Sequence, residues 1–313
     1  MPCWAWCRCP ERVAAVNDAI APSLPMLLAL RGEATARRPP RRAREGVSGP
    51  ALSPLRGRGM EYAESREYAV GDDARHMDWR VTARTGRPHT KLFQPERERA
   101  SWIVADRVPS LYFGTRERYK SVQAARLGAV AAWSALNDGD RIGAMCGSAS
   151  EPPRMPAGGM RGALPVLEAL VRWYSTPASD GHGLDHALRQ VRRLVRPGSR
   201  VVVLAEAASV VAIDAARWRA LAKASELHVL LPVDAFEQSP PRRRLRFLSA
   251  GARSELDLSG AAAYGRWKEA FAGTVQQALA TIRDAGGEAQ AVATDASASD
   301  WLAGFRATQA EVA

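Results

Sequence analysis

Residues 101–106 read SWIVAD, an apolar run that ends on a carboxylate. It lacks the polar–apolar alternation of a half-exposed strand, which predicts a strand buried on both faces. RVVVL at 200–204 and LHVLL at 227–231 repeat the pattern, and 141–146 gives a further strand. Helical periodicities separate them at 121–136, 163–174, 184–195 and 213–224. Apolar strands alternating with amphipathic helices predict an α/β fold, doubly wound on a mostly parallel sheet. In such sheets ligands gather outside the carboxyl ends of the strands. Here those ends are residues 106–110, Glu206 and residues 232–234.

Beyond this body, 245–248 and 254–258 read as a hairpin turning through Gly251, and 262–285 as a long helix stopped by Gly286 and Gly287. A short strand at 290–294 and a helix at 301–310 follow. Upstream, 24–36 reads as a short helix and the arginine/proline run 37–44 as an extended linker. From 47 to 100 the chain is dense in glycine and charge, with strands expected at 60–68 and 90–98. The expected organisation is an N-terminal extension and basic linker over 1–46, a β-rich elaboration over 47–100, and the α/β domain over 101–313.

With 313 residues, 46% hydrophobic and 25% charged, the chain has the composition of a globular protein. The apolar stretch at 24–30 is too short to cross a bilayer, and acidic residues interrupt the first thirty positions, so the expected compartment is the cytoplasm. Four cysteines, at 3, 7, 9 and 146, do not make a disulfide framework in a chain this long, and Cys146 is expected to be a small buried hydrophobe. The net charge of +11 is largely arginine and clusters at 37–44 and 242–246. Those clusters carry an alternative reading as a nucleic-acid-binding protein, ranked lower because no aromatics are interleaved to stack bases. No G-x-S-x-G elbow, phosphate-cradling loop or dinucleotide fingerprint occurs, so no catalytic residue is assigned and the chain is not expected to be an enzyme.

The most distinctive segment is GMEYAESREYAVGDDARHMDWRVTARTGRPHTKLFQPER at 59–97. It contains R-x-Y-x-x-G-D-D-x-R (Arg66, Tyr68, Gly71, Asp72, Asp73, Arg75), D-W-R-x-T-A-R (Asp78, Trp79, Arg80, Thr82, Ala83, Arg84) and K-x-F-x-x-E-R (Lys91, Phe93, Glu96, Arg97). In these elements it resembles the family catalogued as domain of unknown function 58, and the similarity extends to most of residues 24–300. The resemblance implies a von Willebrand factor A-like domain, and as partners a MoxR-type AAA+ ATPase and other A-domain proteins. It further implies that DRVPS at 106–110 stands where A-type domains carry D-x-S-x-S and hold magnesium. Asp106 and Ser110 match that motif, Val108 replaces its first serine, and Ala205 and Glu206 replace a later Ser-Asp pair. Oxygen ligands suit a hard cation, but these losses leave at most a weak, degenerate magnesium site at Asp106, Ser110 and Glu206, and otherwise no cofactor. The loop at 180–183 offers no hydroxyl, and His182 and His186 lack a metalloprotease signature around them and are expected to line a helix start.

Read from the residues alone, Asp72, Asp73 and Asp78 alternate with Arg75, Arg80 and Arg84. Bidentate arginine–carboxylate pairs are expected to knot this segment. Such a knot serves either architecture alone or a docking surface.

Overall fold

The structure is a computed structural model that describes residues 18–36, 60–69, 71–95, 99–177, 182–249 and 252–302. The chain falls into two units, one of residues 41–98 and one of residues 1–40 together with 99–313. Two short helices come first, α1 (Leu24–Ala29) and α2 (Arg31–Ala36), which turn at Leu30 instead of forming one helix. Leu27, Leu30 and Ala34 from this segment are buried in the core of the larger unit, so residues 24–36 belong with the α/β body rather than with an extension.

The smaller unit is an antiparallel hairpin of β1 (Met60–Glu67) and β2 (His89–Pro95) with a bulge at Tyr62/Glu64. Helix α3 (Trp79–Thr85) fills the connection and closes on Gly86 at φ 72°, a left-handed stop that suits glycine.

The larger unit is built on strands β3 (Ala100–Ala105), β4 (Arg141–Cys146), β5 (Arg154–Ala157), β6 (Ser199–Leu204) and β7 (Ser225–Val233). A hairpin of β8 (Arg244–Ser249) and β9 (Ala252–Asp257) follows, and then β10 (Glu288–Ala293). Six of these form one sheet in the order β10-β7-β6-β3-β4-β5, parallel except for β5. Its helices are α4 (Lys120–Asn137), α5 (Met160–Ser175), α6 (Gly183–Leu194), α7 (Ala207–Val211), α8 (Ala215–Ala224), α9 (Ala235–Gln238), α10 (Ala261–Lys268) and α11 (Thr274–Asp284). The two-residue period of the strands divides the core. Ile103, Ala105, Ile142, Ala144, Val202 and Leu204 face the layer of α4 and α5, whereas Trp102, Val104, Val201, Val203 and Val229 face that of α6, α7, α8 and α11. The Trp133 indole N–H of α4 donates to the Leu27 carbonyl at 2.9 Å, which ties α1 to this layer.

Each buried strand read from the sequence is present, and β7 is longer than its apolar run. The edge strand β5 goes unread because Pro156 argues against a strand and its span is only four residues. The long helix read over 262–285 is α10 and α11 joined through a π-turn at Glu269–Gly273. The helix expected at 301–310 begins at Trp301 and Leu302, and the rest of it lies outside the described residues. At the amino ends of the strands, Arg99 meets Asp140 at 3.0 Å and Glu226 at 2.8 Å. Nearby Arg200 meets Asp138 at 3.1 Å, and Ser101 donates to Asp140 at 2.6 Å. The carboxyl ends are organised differently, around the point where the chain leaves β3 toward β4 and later returns past it to β6.

Candidate functional site

In the smaller unit the carboxylates of the charged signature accept from nearby backbone N–H groups. Asp78 is buried at the N-cap of α3, where it accepts from the Val81 N–H at 3.2 Å and the Ser65 hydroxyl at 2.7 Å. Asp73 caps a short 3-10 turn by accepting from the Arg75 N–H at 2.9 Å. Asp72 accepts from the Ala69 N–H at 2.9 Å and from Arg66 at 2.7 Å, and that backbone bond, more than the arginine, holds its carboxyl below the usual range. Gly71, at φ 111°, makes the preceding turn, and the Tyr68 N–H donates to the Pro88 carbonyl at 2.8 Å.

The expected knot of Arg75, Arg80 and Arg84 with the aspartates is therefore not what is found. All three aspartates satisfy backbone donors, as short carboxylates do. Asp72 also pairs with Arg66. Arg75, Arg80 and Arg84 are exposed, and they form no ion pair among the described residues. Trp79, at the first position of α3, is 69% exposed. A cleft of about 420 Å³ is lined by Asp78, Arg80, Val81, Arg84 and Lys91. Exposed guanidinium groups suit carboxylates, and an exposed indole suits flat groups.

In the larger unit, the carboxyl ends of β3, β6 and β7 converge. Asp106 is fully buried; its N–H donates to Leu204 at 2.9 Å, and its Oδ2 accepts from the Glu206 N–H at 3.3 Å. Its Oδ1 is buried with no hydrogen-bond partner. Burial pushes the Asp106 carboxyl up, against the pull of the Ser209 hydroxyl and nearby N–H groups. Glu206 stands at the N-cap of α7, and its Oε2 lies 2.8 Å from Lys120 Nζ. Lys120 opens α4, is wholly buried, and meets Glu237 Oε1 at 2.7 Å. Glu237 completes a capping box with Asp234 at the start of α9. Asp234 accepts from the Thr115 N–H at 2.9 Å and hydroxyl at 2.5 Å and from the Thr294 hydroxyl at 3.2 Å. Burial raises the Glu237 carboxyl, outweighing Lys120, while neighbouring Glu206 adds to the rise.

Of the residues read as a degenerate metal site, Asp106 and Glu206 are neighbours, whereas Ser110 lies exposed in a 3-10 turn at Pro109–Leu111. The donor set does not fit a divalent cation. Glu206 is engaged by an ammonium, and Val108 offers no side-chain oxygen. His182 precedes α6 without capping it through its side chain, its ring 4.9 Å from that of His186, which bonds Gln190 at 2.6 Å; residues 180 and 181 lie outside the described residues. Lys120, Glu237 and Thr115 were not read as site residues. Two signals pointed to them: the D-x-x-E of residues 234–237 directly after an apolar strand, and a lysine opening an alanine-rich helix.

The basic segment 37–44 lies outside the described residues. In the other, Arg244 lies 3.5 Å from Asp257, Arg246 lies 3.7 Å from Glu255, and Arg242 sits 4.4 Å over the Tyr264 ring. These arginines are engaged within their own hairpin and with α10. Cys146 is buried, and its thiol is pushed up to about 11 by burial, as an inert core residue requires.

A family model described as "Protein of unknown function DUF58" matches residues 64–242. The uncharacterized proteins Mb1516 of Mycobacterium bovis and Rv1480 of Mycobacterium tuberculosis are each 33% identical over 161 residues, 51% of this chain and 51% of theirs. The chain thus spans about half the length of the curated relatives it matches. Among solved structures, an aerotolerance-related membrane protein from Bacteroides fragilis aligns with a TM-score of 0.39 at 16% identity, covering 66% of this chain and 97% of that one. The PilB minor pilin from Streptococcus sanguinis, as a D319A mutant, aligns at 0.36 and 10%, covering 71% and 64%. No described helix is long and apolar enough to cross a membrane.

Proposed function

This chain belongs to the DUF58 family, and from that premise we propose that it is a non-catalytic adaptor on a von Willebrand factor A-like fold. It works in the cytoplasm with a MoxR-type AAA+ ATPase, in company with other A-domain proteins, on the assembly or maturation of client proteins. The observation that carries this reading is the division of charge in the signature segment. Asp73 and Asp78 serve as caps, whereas Arg75, Arg80 and Arg84 stay exposed on the same segment as Trp79, which is 69% exposed. A large exposed indole is costly to solubility, and the enrichment of Trp and Arg among interface hot spots favours a protein partner. The A-type reading is supported by the strand order, by the single antiparallel edge strand, and by a buried aspartate directly after the first strand of the sheet.

The test is recovery from native lysate with ATP and magnesium. A MoxR-type ATPase is expected to be enriched on the wild-type chain and lost from a Trp79→Ala/Arg80→Glu variant whose circular dichroism is unchanged. Loss of two interface anchors weakens binding by roughly 30-fold or more. Absence of any AAA+ ATPase from the wild-type eluate would count decisively against the adaptor reading.

A further inference from the structure

We propose that the ammonium of Lys120 is a cation built into the chain, holding the carboxyl ends of β6 and β7 to the start of α4 and so making this end of the sheet independent of metal. The inference stands apart from the adaptor reading. A lysine at the first residue of an α-helix is poorly placed for that helix, because the helix amino end is itself positive. The preceding Tyr119 provides no side-chain cap. What compensates lies outside the helix: Glu206 after β6 at 2.8 Å and Glu237 after β7 at 2.7 Å, with Lys120 fully buried between them. A buried ammonium with partners on two further elements is a tether, since removing it strands carboxylates with little access to water.

The surroundings fit a site that takes one cation and no second. Asp106, Glu206, Asp234 and Glu237 cluster where three helices begin, yet only Glu206 and Glu237 reach the ammonium. Asp234 is satisfied by Thr115 and Thr294, and Asp106 retains an unpartnered buried oxygen. An ion bound at Asp106 and Glu206 would share Glu206 with Lys120, setting two cations against one carboxylate.

The experiment uses the full chain. Melting in EDTA and in 10 mM magnesium or manganese should agree within about 1 °C, and calorimetry should detect no manganese binding. A saturable rise in melting temperature that Asp106→Asn abolishes would overturn the proposal. Lys120→Met should melt roughly 5 to 10 °C lower, or fail to fold, because it leaves buried carboxylates without their cation. Unchanged melting would also overturn it. Because damage to any core position can prevent folding, the balanced set Lys120→Met/Glu206→Gln/Glu237→Gln is the deciding comparison. It removes the charges together and should recover most of the lost melting temperature, and failure to recover would show that the ammonium was not what Lys120 supplied.

Discussion

Glu226, at the amino end of β7, lies against two guanidinium groups and an imidazole: Arg99 at 2.8 Å, Arg200 at 3.7 Å and His228 at 3.5 Å. Burial works against its charge, yet the hydrogen bond from His228 and the charges of Arg200 and Arg99 bring its carboxyl down to about 2 from 4.5. The folded chain therefore binds this proton less readily than the unfolded chain. Its contribution, on the order of 3 kcal/mol, is present above about pH 4.5 and is lost as pH falls toward 2. Glu226→Gln should lower stability markedly at pH 7 and much less at pH 3; equal losses at both would refute the pairing. At Gly162 the constraint is space alone, since an added Cβ would lie 1.9 Å from the Ala157 carbonyl oxygen. Backbone cannot swing aside, so Gly162→Ala is expected to cost about 1–3 kcal/mol in denaturant titration.

Helix α3 has seven residues and depends on its caps, Asp78 at one end and Gly86 at the other. Asp78→Ala removes the acceptor of both the Val81 N–H and the Ser65 hydroxyl, and amide protection in α3 should fall by about tenfold. Asp78→Asn, which still caps, should restore most of it, and protection unaffected by alanine would disprove the capping role. The same contrast marks what could be read from the chain. Strands β3, β6 and β7 are legible because they are buried on both faces and therefore carry continuous apolar runs. Strand β5 is not, because a four-residue edge needs no apolar run. The alternation of Asp and Arg around α3 was visible, but its geometry was not. Whether a carboxylate prefers a guanidinium or a backbone N–H depends on where the helix starts, and spacing alone does not reveal that.

Across the whole larger unit, the two ends of the sheet respond to pH in opposite senses. At the amino ends Glu226 favours the ionised fold, whereas at the carboxyl ends Asp106 and Glu237 have raised carboxyls. For the raised pair the folded state holds protons more tightly than the unfolded chain. Their contribution is complete below the ordinary carboxylate range and declines as pH rises through their folded values. Glu237→Gln should flatten the decline of melting temperature with rising pH, and a pH profile unchanged by that substitution would contradict this. The sequence placed Asp106, Glu206 and residues 232–234 at one end of the sheet correctly, because strand ends follow from strands. It did not place Lys120 among them, because the stretch 106–119 separates Lys120 from β3 and only the folded chain closes it. One border of the sheet has a further consequence. Strand β5 runs against its neighbour, is four residues long, contains Pro156 and follows Pro152 and Pro153. A border so short and so poor in donors gives an incoming chain little to zip onto, so stacking of molecules into fibres along that side is discouraged by the covalent chemistry of proline itself.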